Sequence, residues 1–133
     1  PQMNFLDAKV EVKGDVASLK IADLSIALPP AKSKKLIEGG YNGKTVTFGI
    51  RPEDIYDSQM MVEAKPESTF ETTIRVYELL GAEVFLYADL AEFPITARVD
   101  PRTTARPGDK VKFAIDVEKI HVFDKETEKV ITN

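Results

Sequence analysis

The segment from Thr45 to Asp54 reads TVTFGIRPED and joins a strand pattern to an abrupt end. Its first half alternates polar or small side chains with apolar ones, which is typical of a strand with one buried face. Pro52 then ends the ladder because it has no N–H to donate, and Glu53 and Asp54 suit the positively polarised first turn of a short helix. The segment therefore predicts a strand that ends at a fixed corner, with Arg51 placed to pin that corner through a carboxylate.

The same two-residue alternation recurs along most of the chain. The other strand-like segments are Ala8–Lys13, Phe70–Val76, Val84–Leu90, Ile95–Val99, Val111–Ile115 and Ile120–Phe123. Turn dipeptides such as Asn42-Gly43 and Pro107-Gly108 separate them, at the spacing of an antiparallel barrel or sandwich. We therefore predict a mainly β fold with about eight or more strands. One short helix is expected at Ala31–Glu38, opened by prolines and ended by Gly39-Gly40.

The segment from Asp57 to Ser68 breaks the alternation and is rich in Met, Lys, Glu and Ser. Such a break is typical of a loop between groups of strands. We therefore treat residues 1–133 as one domain, with a division into two β lobes near residues 57–68 as the alternative to a single lobe.

A second glycine corner lies at Leu79-Leu80-Gly81-Ala82-Glu83. Gly81 supplies the backbone freedom that a tight turn or bulge between two strands needs. We expect the leucine pair before Gly81 and Val84 after it to be buried on either side of the turn.

The composition excludes several kinds of active site. The chain has no cysteine, which excludes disulfides, thiolate metal sites and cysteine catalysis. With one histidine, His121, it cannot form a two-histidine metal motif, and we expect a structural or surface role for this side chain. No G-x-x-x-x-G-K-[ST] phosphate loop is present. We therefore expect no catalytic residue, cofactor or metal in this chain.

The charge balance is acidic, with 18 Lys and Arg against 22 Asp and Glu and a net charge of −4. A protein that binds nucleic-acid backbones usually has the opposite sign, so no nucleic-acid partner is expected. No apolar run approaches the length of about 20 residues that spans a bilayer, and the first residues do not resemble a secretory signal. We therefore expect no membrane anchor or export signal of its own.

The order of the short motifs is more informative than any one of them. They are Pro1–Leu6 (PQMNFL), Gly49–Asp54 (GIRPED), Glu78–Glu83 (ELLGAE), Arg106–Asp109 (RPGD) and His121–Asp124 (HVFD). In this order they resemble the C-terminal regulatory domain of the ATP-binding subunits of maltose-type and multiple-sugar ABC importers. The resemblance runs from Pro1 to about Lys129.

The resemblance implies an OB-like β-barrel of the type called TOBE or MOP-like, C-terminal to a nucleotide-binding domain that this sequence lacks. It implies a parent subunit that binds ATP and Mg²⁺, energises carbohydrate uptake, and works as a homodimer on the cytoplasmic face of membrane permease subunits. The domain itself would be non-catalytic. It would hold the two subunits together and offer a docking surface for cytoplasmic regulatory proteins.

The partner-facing residues are expected near the two corners and at the junction with the ATPase. They are Phe5, Gly43, Thr47, Gly49, Arg51, Glu53, Glu78, Gly81 and Glu83. A modest patch that is the same on both copies suffices, because it keeps the two nucleotide-binding domains at a high effective concentration.

Two other binding functions are alternatives. A MOP-like barrel that stands alone can bind a small oxyanion or a sugar, with Arg51, Arg98 and Arg102 as candidate donors. An OB-like face can bind single-stranded nucleic acid by stacking bases, with Phe85 and Tyr87 as candidates, but the acidic balance argues against it.

Overall fold

The structure is a computed structural model that describes residues 2–133. The strands are β1 Asn4–Lys13, β2 Val16–Ile21, β3 Leu24–Ala27, β4 Thr45–Ile50, β5 Ile55–Tyr56, β6 Thr69–Thr73, β7 Val76–Leu80, β8 Glu83–Leu90, β9 Phe93–Val99, β10 Lys110–Ile115, β11 His121–Asp124 and β12 Val130–Thr132. The α-helices are α1 Pro30–Glu38 and α2 Gln59–Ala64, and short 3-10 helices span Pro52–Asp54, Pro66–Ser68 and Val117–Lys119. The predicted mainly β class is confirmed. Within the described range there are two α-helices, where the sequence predicted one.

The chain divides into two compact units. The flanking unit contains Phe5–Ile50 and Val117–Asn133, so it is built from two segments on either side of the central unit in sequence. The central unit contains Arg51–Asp116 together with residues 2–4. The alternative division near residues 57–68 is not where the structure divides, because these residues lie inside the central unit.

The segment 57–68 is tied to one sheet of the central unit. Ser58 caps α2 by accepting the N–H of Met61 at 3.4 Å, and α2 packs against β10. Ser68 donates its hydroxyl to the carbonyl of Ile115 on β10 at 2.8 Å. The composition of this segment suggested a loop because α2 lies on the surface and none of its residues is buried.

The flanking unit is built on a six-stranded sheet in the order β12-β11-β4-β1-β2-β3. The pairs β1–β2, β2–β3, β4–β11 and β11–β12 are antiparallel. Alternate residues face the core, as the strand period of two requires. The buried side chains of this unit include Leu6, Ala8, Val10, Ala17, Leu19, Ile21, Ile26, Val46, Phe48, Ile120 and Val122. The residues between them, among them Phe5, Asp7 and Thr47, therefore point to the opposite face of the sheet.

Helix α1 packs against β2 and β12 of the flanking unit. Pro30 is its first residue and Gly39 follows its last, which agrees with the predicted helix to within one residue. The buried hydroxyl of Ser33 accepts the N–H of Ala17 at 2.9 Å and donates to the carbonyl of Leu28 at 3.0 Å. This side chain thus fixes the helix on β2.

The lysines of α1 do not all lie on a solvated face. Lys34 and Lys35 are exposed, but Lys32 is only 5% exposed. Burial lowers the pKa of Lys32, and the negative charge of Glu118 acts in the opposite direction. The helix therefore presents two of its three lysines to solvent.

The central unit contains two antiparallel three-stranded sheets, β5-β10-β6 and β7-β8-β9. Strand β6 contacts β8, and β5 contacts β9, so the two sheets share one core. Its buried side chains include Ile55, Phe70, Ile74, Val84, Leu86, Ala88, Ile95, Ala97, Phe113 and Ile115. The rings of Phe70 and Phe113 meet edge to face with centroids 5.9 Å apart. This core positions the β7–β8 hairpin described below.

The loop between β8 and β9 carries backbone strain at Ala91, whose φ is +54°. A left-handed conformation costs a non-glycine residue about 1–2 kcal/mol. We expect Ala91→Gly to raise the free energy of unfolding by about 0.5–1 kcal/mol in urea titrations. The matched control is Ala82→Gly in the β7–β8 loop, where φ is not positive; it should leave stability unchanged or lower it. A stability loss in Ala91→Gly would show that this strain is absent.

Candidate interaction surfaces

An aromatic patch lies on the flanking unit. We define it as the six residues that line one shallow surface pocket, Phe5, Thr47, Phe123, Asp124, Lys125 and Glu128. Neighbouring strands β1, β4 and β11 bring it together, and Phe123 lies opposite Thr47 in the β11–β4 register. The rings of Phe5 and Phe123 meet edge to face, with centroids 5.9 Å apart and an interplanar angle of 64°. Because Phe5 is 56% exposed, the patch offers a large apolar side chain to solvent.

Asp7 connects three elements on the same face of the sheet as Phe5. Its carboxylate accepts the hydroxyl of Thr47 at 3.0 Å and the ammonium of Lys125 at 2.9 Å. These contacts join β1, β4 and the turn that follows β11. A partner that meets Phe5 therefore meets a surface whose polar groups are already oriented.

Asp124 organises the turn between β11 and β12. One carboxylate oxygen accepts the N–H groups of Glu126 and Thr127, each at 2.9 Å, and the other accepts the hydroxyl of Tyr41 at 2.8 Å. Hydrogen bonds hold the pKa of Asp124 below its ordinary value; the largest contribution comes from the backbone N–H of Thr127 and the next from the Tyr41 hydroxyl. The same carboxylate raises the pKa of Tyr41. At neutral pH Asp124 is therefore ionised and Tyr41 is protonated, as the hydrogen bond between them requires.

The two predicted glycines of the flanking unit serve the backbone. Gly43 has a φ of +81° in the turn before β4, and its N–H donates to the carbonyl of Val10 at 2.8 Å. Gly49 is buried in β4 opposite His121. The structure thus brings Phe5 and Thr47 together, but neither Gly43 nor Gly49 lines the patch.

The corner at Arg51 has the local structure that the sequence predicts. Pro52 begins a 3-10 helix whose first turn contains Glu53 and Asp54. Pro52 is buried, whereas Arg51 is exposed. Glu53 lines a groove of the central unit, and Arg51 is not among the residues of that groove.

The β7–β8 hairpin brings Glu78, Gly81 and Glu83 together. Leu80 lies opposite Glu83, so a two-residue loop begins at Gly81, whose φ is +61°. Glycine adopts this conformation without strain, which explains its place at the tip. Glu78 accepts the hydroxyl of Tyr87 at 2.7 Å, and this bond raises the pKa of Tyr87.

The leucine pair before Gly81 is exposed, which corrects the prediction that it is buried. Leu79 and Leu80 are each 55% exposed, and Val76 on the same strand is 45% exposed. Neighbouring residues of a strand point to opposite faces, and β7 lies at the edge of its sheet, so one core cannot bury both leucines. Val84, on the central strand β8, is buried as predicted. Adjacent leucines beside a turn are the sequence signal for this surface.

Two of the three candidate oxyanion donors, Arg98 and Arg102, are paired with acids. Arg102 donates to Asp100 through Nε at 3.0 Å and through a terminal nitrogen at 2.9 Å. Arg98 lies 3.8 Å from Glu83. Both arginines line the groove that also contains Glu53, Glu83 and Asp100. Guanidinium groups that face carboxylates in this way are poor donors for a further anion, so the geometry does not favour the oxyanion alternative.

The Asp100–Arg102 pair makes a prediction about pH. The hydrogen bonds of Arg102 hold the pKa of Asp100 at about 2, against an ordinary value of 3.8. A carboxyl with a depressed pKa contributes stability above its unfolded pKa, and this contribution is lost as the pH falls through the folded value. We expect Arg102→Gln to raise the pKa of Asp100 part of the way toward 3.8 in an NMR titration, because the backbone N–H of residue 102 remains bonded. Arg106→Gln is the control and should leave it unchanged; an Asp100 pKa still near 2 in Arg102→Gln would contradict the assignment.

The two candidate base-stacking residues already have contacts within the protein, since one is buried and the other is hydrogen-bonded. Phe85 is 7% exposed, and the Tyr87 hydroxyl is bonded to Glu78.

In the described range, 2–133, no group of three or more His, Cys, Asp or Glu side chains is arranged to hold a metal ion. None of the helices in that range is both long and apolar enough to cross a membrane.

Comparison with known families assigns almost the whole chain. Residues 1–55 match the MalK OB fold domain, and residues 64–122 match the TOBE domain. The two matches follow one another along the chain with a short gap between them.

Curated relatives extend this assignment. The chain is 41% identical over 96% of its length to the oligosaccharides import ATP-binding protein MsmX of Bacillus subtilis. It is 40% identical over 98% of its length to the multiple sugar-binding transport ATP-binding protein MsmK of Streptococcus mutans, and 35% identical over 98% to the trehalose/maltose import ATP-binding protein MalK of Thermococcus litoralis. The chain spans 34–35% of the length of these relatives.

A solved structure shows the same fold at low sequence identity. The cytoplasmic molybdate-binding protein ModG, in a form with molybdate bound, has a TM-score of 0.66 over 90% of this chain and 94% of its own, at 12% identity. This likeness establishes a TOBE/MOP-like fold and nothing about the ligand. The chain therefore belongs to the MalK OB fold and TOBE domain families, and it is homologous to the C-terminal region of the ATP-binding proteins of sugar ABC importers.

Proposed function

We propose that this chain is the non-catalytic regulatory domain of an ATP-binding subunit that energises carbohydrate uptake. The observation that carries the proposal is the succession of a MalK OB fold domain and a TOBE domain, shared with relatives named for importing oligosaccharides, multiple sugars, and trehalose or maltose. In this proposal a nucleotide-binding domain outside the chain binds ATP and Mg²⁺. The subunit lies at the cytoplasmic face of the membrane, against the permease subunits.

The aromatic patch is our proposed contact between two copies. Phe5 is exposed beside Phe123, and the Asp7 contacts with Thr47 and Lys125 keep the surrounding polar groups ordered. A contact of this kind needs little affinity of its own. It keeps the two nucleotide-binding domains close to each other while their sites open and close, so that each closure is an intramolecular event.

The β7–β8 hairpin is our proposed docking surface for a regulatory protein. It presents exposed Leu79 and Leu80 beside Glu78 and Glu83, and an apolar centre with a polar margin is the usual composition of such contacts. Arg51 and Glu53, at the corner after β4, are proposed as additional contacts. These assignments divide the predicted residues other than Gly43 and Gly49 between self-association and docking.

Single-cysteine cross-linking tests the proposed self-contact, and the absence of cysteine from the chain makes it clean. We expect Phe5→Cys and Thr47→Cys to give a covalent dimer with a short bis-maleimide in the complete subunit, with cysteines outside this chain replaced by serine. The matched control is Val16→Cys, on the same unit and 39% exposed. Val16 lies opposite Lys13 in the β1–β2 register, and Lys13 is eight residues beyond Phe5 along β1, a distance of about 26 Å.

The comparison of yields decides the proposal. A dimer with Phe5→Cys and little with Val16→Cys supports a contact at the aromatic patch. Equal yields from the three variants, or no dimer from any, would refute the proposed self-contact.

A further inference from the structure

Strand β7 is an open sheet edge. It is the terminal strand of the β7-β8-β9 sheet. Since Leu80 and Glu83 close a two-residue hairpin, the backbone N–H and C=O groups of Tyr77 and Leu79 point away from β8. No backbone partner for these groups occurs among residues 2–133. The strand thus presents unpaired donors and acceptors in the spacing of a sheet ladder.

Several other edges carry features that block pairing, and β7 does not. In β9 the backbone of Thr96 is already bonded to the Asn4 side chain, which accepts the Thr96 N–H at 2.8 Å and donates to the Thr96 carbonyl at 2.9 Å. Pro94 of the same strand has no N–H to donate. Strands β5 and β12 are two and three residues long. The sequence of β7, VYELL, contains no proline, lysine or arginine. By the usual rules for edge strands, β7 is therefore suited to accept another strand.

The exposed side chains of β7 indicate the same use. Three of the seven large hydrophobic side chains that are exposed within residues 2–133 belong to this one strand: Val76, Leu79 and Leu80. A five-residue strand that carries exposed apolar side chains on both faces, with one carboxylate among them, and is unpaired on one edge resembles the receiving strand of a β-addition complex.

We propose that β7 binds an extended segment of a partner protein, which adds to the sheet as a further strand. This inference deepens the docking part of the proposed function and rests on it. Backbone hydrogen bonds to Tyr77 and Leu79 supply the common part of the affinity, and the side chains of alternate residues supply the specificity. The hairpin is then recognised by its edge rather than by its tip.

Glu78 determines the chemistry of the partner strand. It lies between Val76 and Leu80 on one face of β7, and its Oε1 accepts the Tyr87 hydroxyl at 2.7 Å. Its other carboxylate oxygen has no partner in the described part of the chain. A lysine or arginine opposite Glu78, with apolar residues on both sides of it, matches this face. The partner segment is therefore a short apolar strand with one basic residue at its centre.

A second copy of β7 is a poorer occupant. An antiparallel pair centred on Glu78 places two carboxylates opposite each other, and like charges in that position are destabilising. Centring the pair on Tyr77 or Leu79 places Glu78 opposite Val76 or Leu80, so its charge faces an apolar side chain. The charge on β7 thus favours a basic strand from another protein.

Backbone amide exchange with designed peptides tests this inference. The probe is an acetylated and amidated peptide of sequence TVVKIVT, titrated into the ¹⁵N-labelled 133-residue chain. We expect saturable shifts and slower exchange at the amides of Tyr77 and Leu79, which face outward. The amides of Glu78 and Leu80 already face β8 and should change little. This alternation is specific to strand addition, because side-chain binding alone does not produce it.

Two control peptides and one variant complete the experiment. A peptide with glutamate in place of the central lysine should bind about tenfold more weakly. A peptide methylated on the backbone nitrogens that face β7 should not bind. Leu79→Lys, at an exposed position, should abolish binding while leaving the rest of the spectrum unchanged.

The inference is overturned if saturating peptide leaves the Tyr77 and Leu79 amides unprotected. It is also overturned if these amides become protected without peptide as the protein concentration rises, since a second copy then occupies the edge. The readout does not depend on the aromatic patch. A failure of cross-linking through Phe5 and a failure of peptide binding are therefore separate results.

Discussion

Replacement of Leu86 by alanine is expected to lower the free energy of unfolding of the central unit by about 3–5 kcal/mol. Leu86 lies on β8, the middle strand of its sheet, opposite Tyr77 on one side and Ala97 on the other, and its side chain is fully buried. Truncation removes buried methyl groups and leaves a cavity that a close-packed core fills only in part. Urea unfolding followed by circular dichroism measures the loss.

Leu79→Ala is the matched control for this prediction. It makes the same chemical change on the neighbouring strand, at a side chain that is 55% exposed. We expect a change of stability within about 0.5 kcal/mol. If the two variants lose similar stability, either Leu79 is not exposed or Leu86 is not in the core, and the description of the hairpin is wrong.

Ser33→Ala is expected to destabilise the flanking unit by about 1–3 kcal/mol. The Ser33 hydroxyl is the acceptor for the buried N–H of Ala17 and a donor to the carbonyl of Leu28. Alanine fills almost the same space but leaves the N–H of Ala17 without an acceptor, and an unsatisfied buried donor costs more than an average hydrogen bond contributes. Urea unfolding and the exchange rate of the Ala17 amide report the effect independently.

Ser25→Ala is the control for the hydrogen-bond argument. Ser25 lies on β3 and is exposed, so its loss should change stability by less than about 0.5 kcal/mol. A Ser33→Ala variant as stable as the parent, with slow exchange at Ala17, would mean that another group takes over as acceptor. The proposed attachment of α1 to β2 would then be incorrect.

Local sequence patterns predicted most of the strands because each strand has one buried face. Alternation located β1, β4 and β8 through β11, and the prolines and glycines located α1 to within one residue. The short strands β3, β5 and β12 have too few residues for a period to be seen. Phe70–Val76 was predicted as one strand, but the ladder breaks at Ile74, whose backbone instead bonds Asp109 and Gly108. Alternation gives the faces of a strand and not the identity of its neighbours.

The interaction surfaces were predictable only in part, for a related reason. Glu78, Gly81 and Glu83 come together because they belong to one hairpin, which sequence can anticipate. Phe123 is distant from Phe5 in sequence, and only the order of the strands brings the two rings together.

Burial on the hairpin depends on the position of the strand in its sheet. The exposure of Leu79 follows from β7 being an edge strand, and no local pattern shows which strand lies at an edge. The edge position of β7 made the burial prediction wrong, and it is also the basis of the proposed strand-addition site.

In our proposal the two surfaces perform separate tasks. The aromatic patch belongs to the flanking unit and the β7–β8 hairpin to the central unit. A substitution at Phe5 should therefore weaken self-association and leave peptide binding at β7 unchanged. Leu79→Lys should abolish peptide binding and leave self-association unchanged. Regulation and assembly can then vary independently among relatives that share the fold.

The size and location of the native polypeptide that carries this domain test the central claim most directly. An antibody raised against the chain, applied to fractionated cell extracts, measures both. The account predicts a polypeptide about three times as long as the chain, as in relatives of which the chain spans 34%, bound to membranes through permease subunits and released when those contacts are stripped. A soluble polypeptide near 14.8 kDa would contradict it.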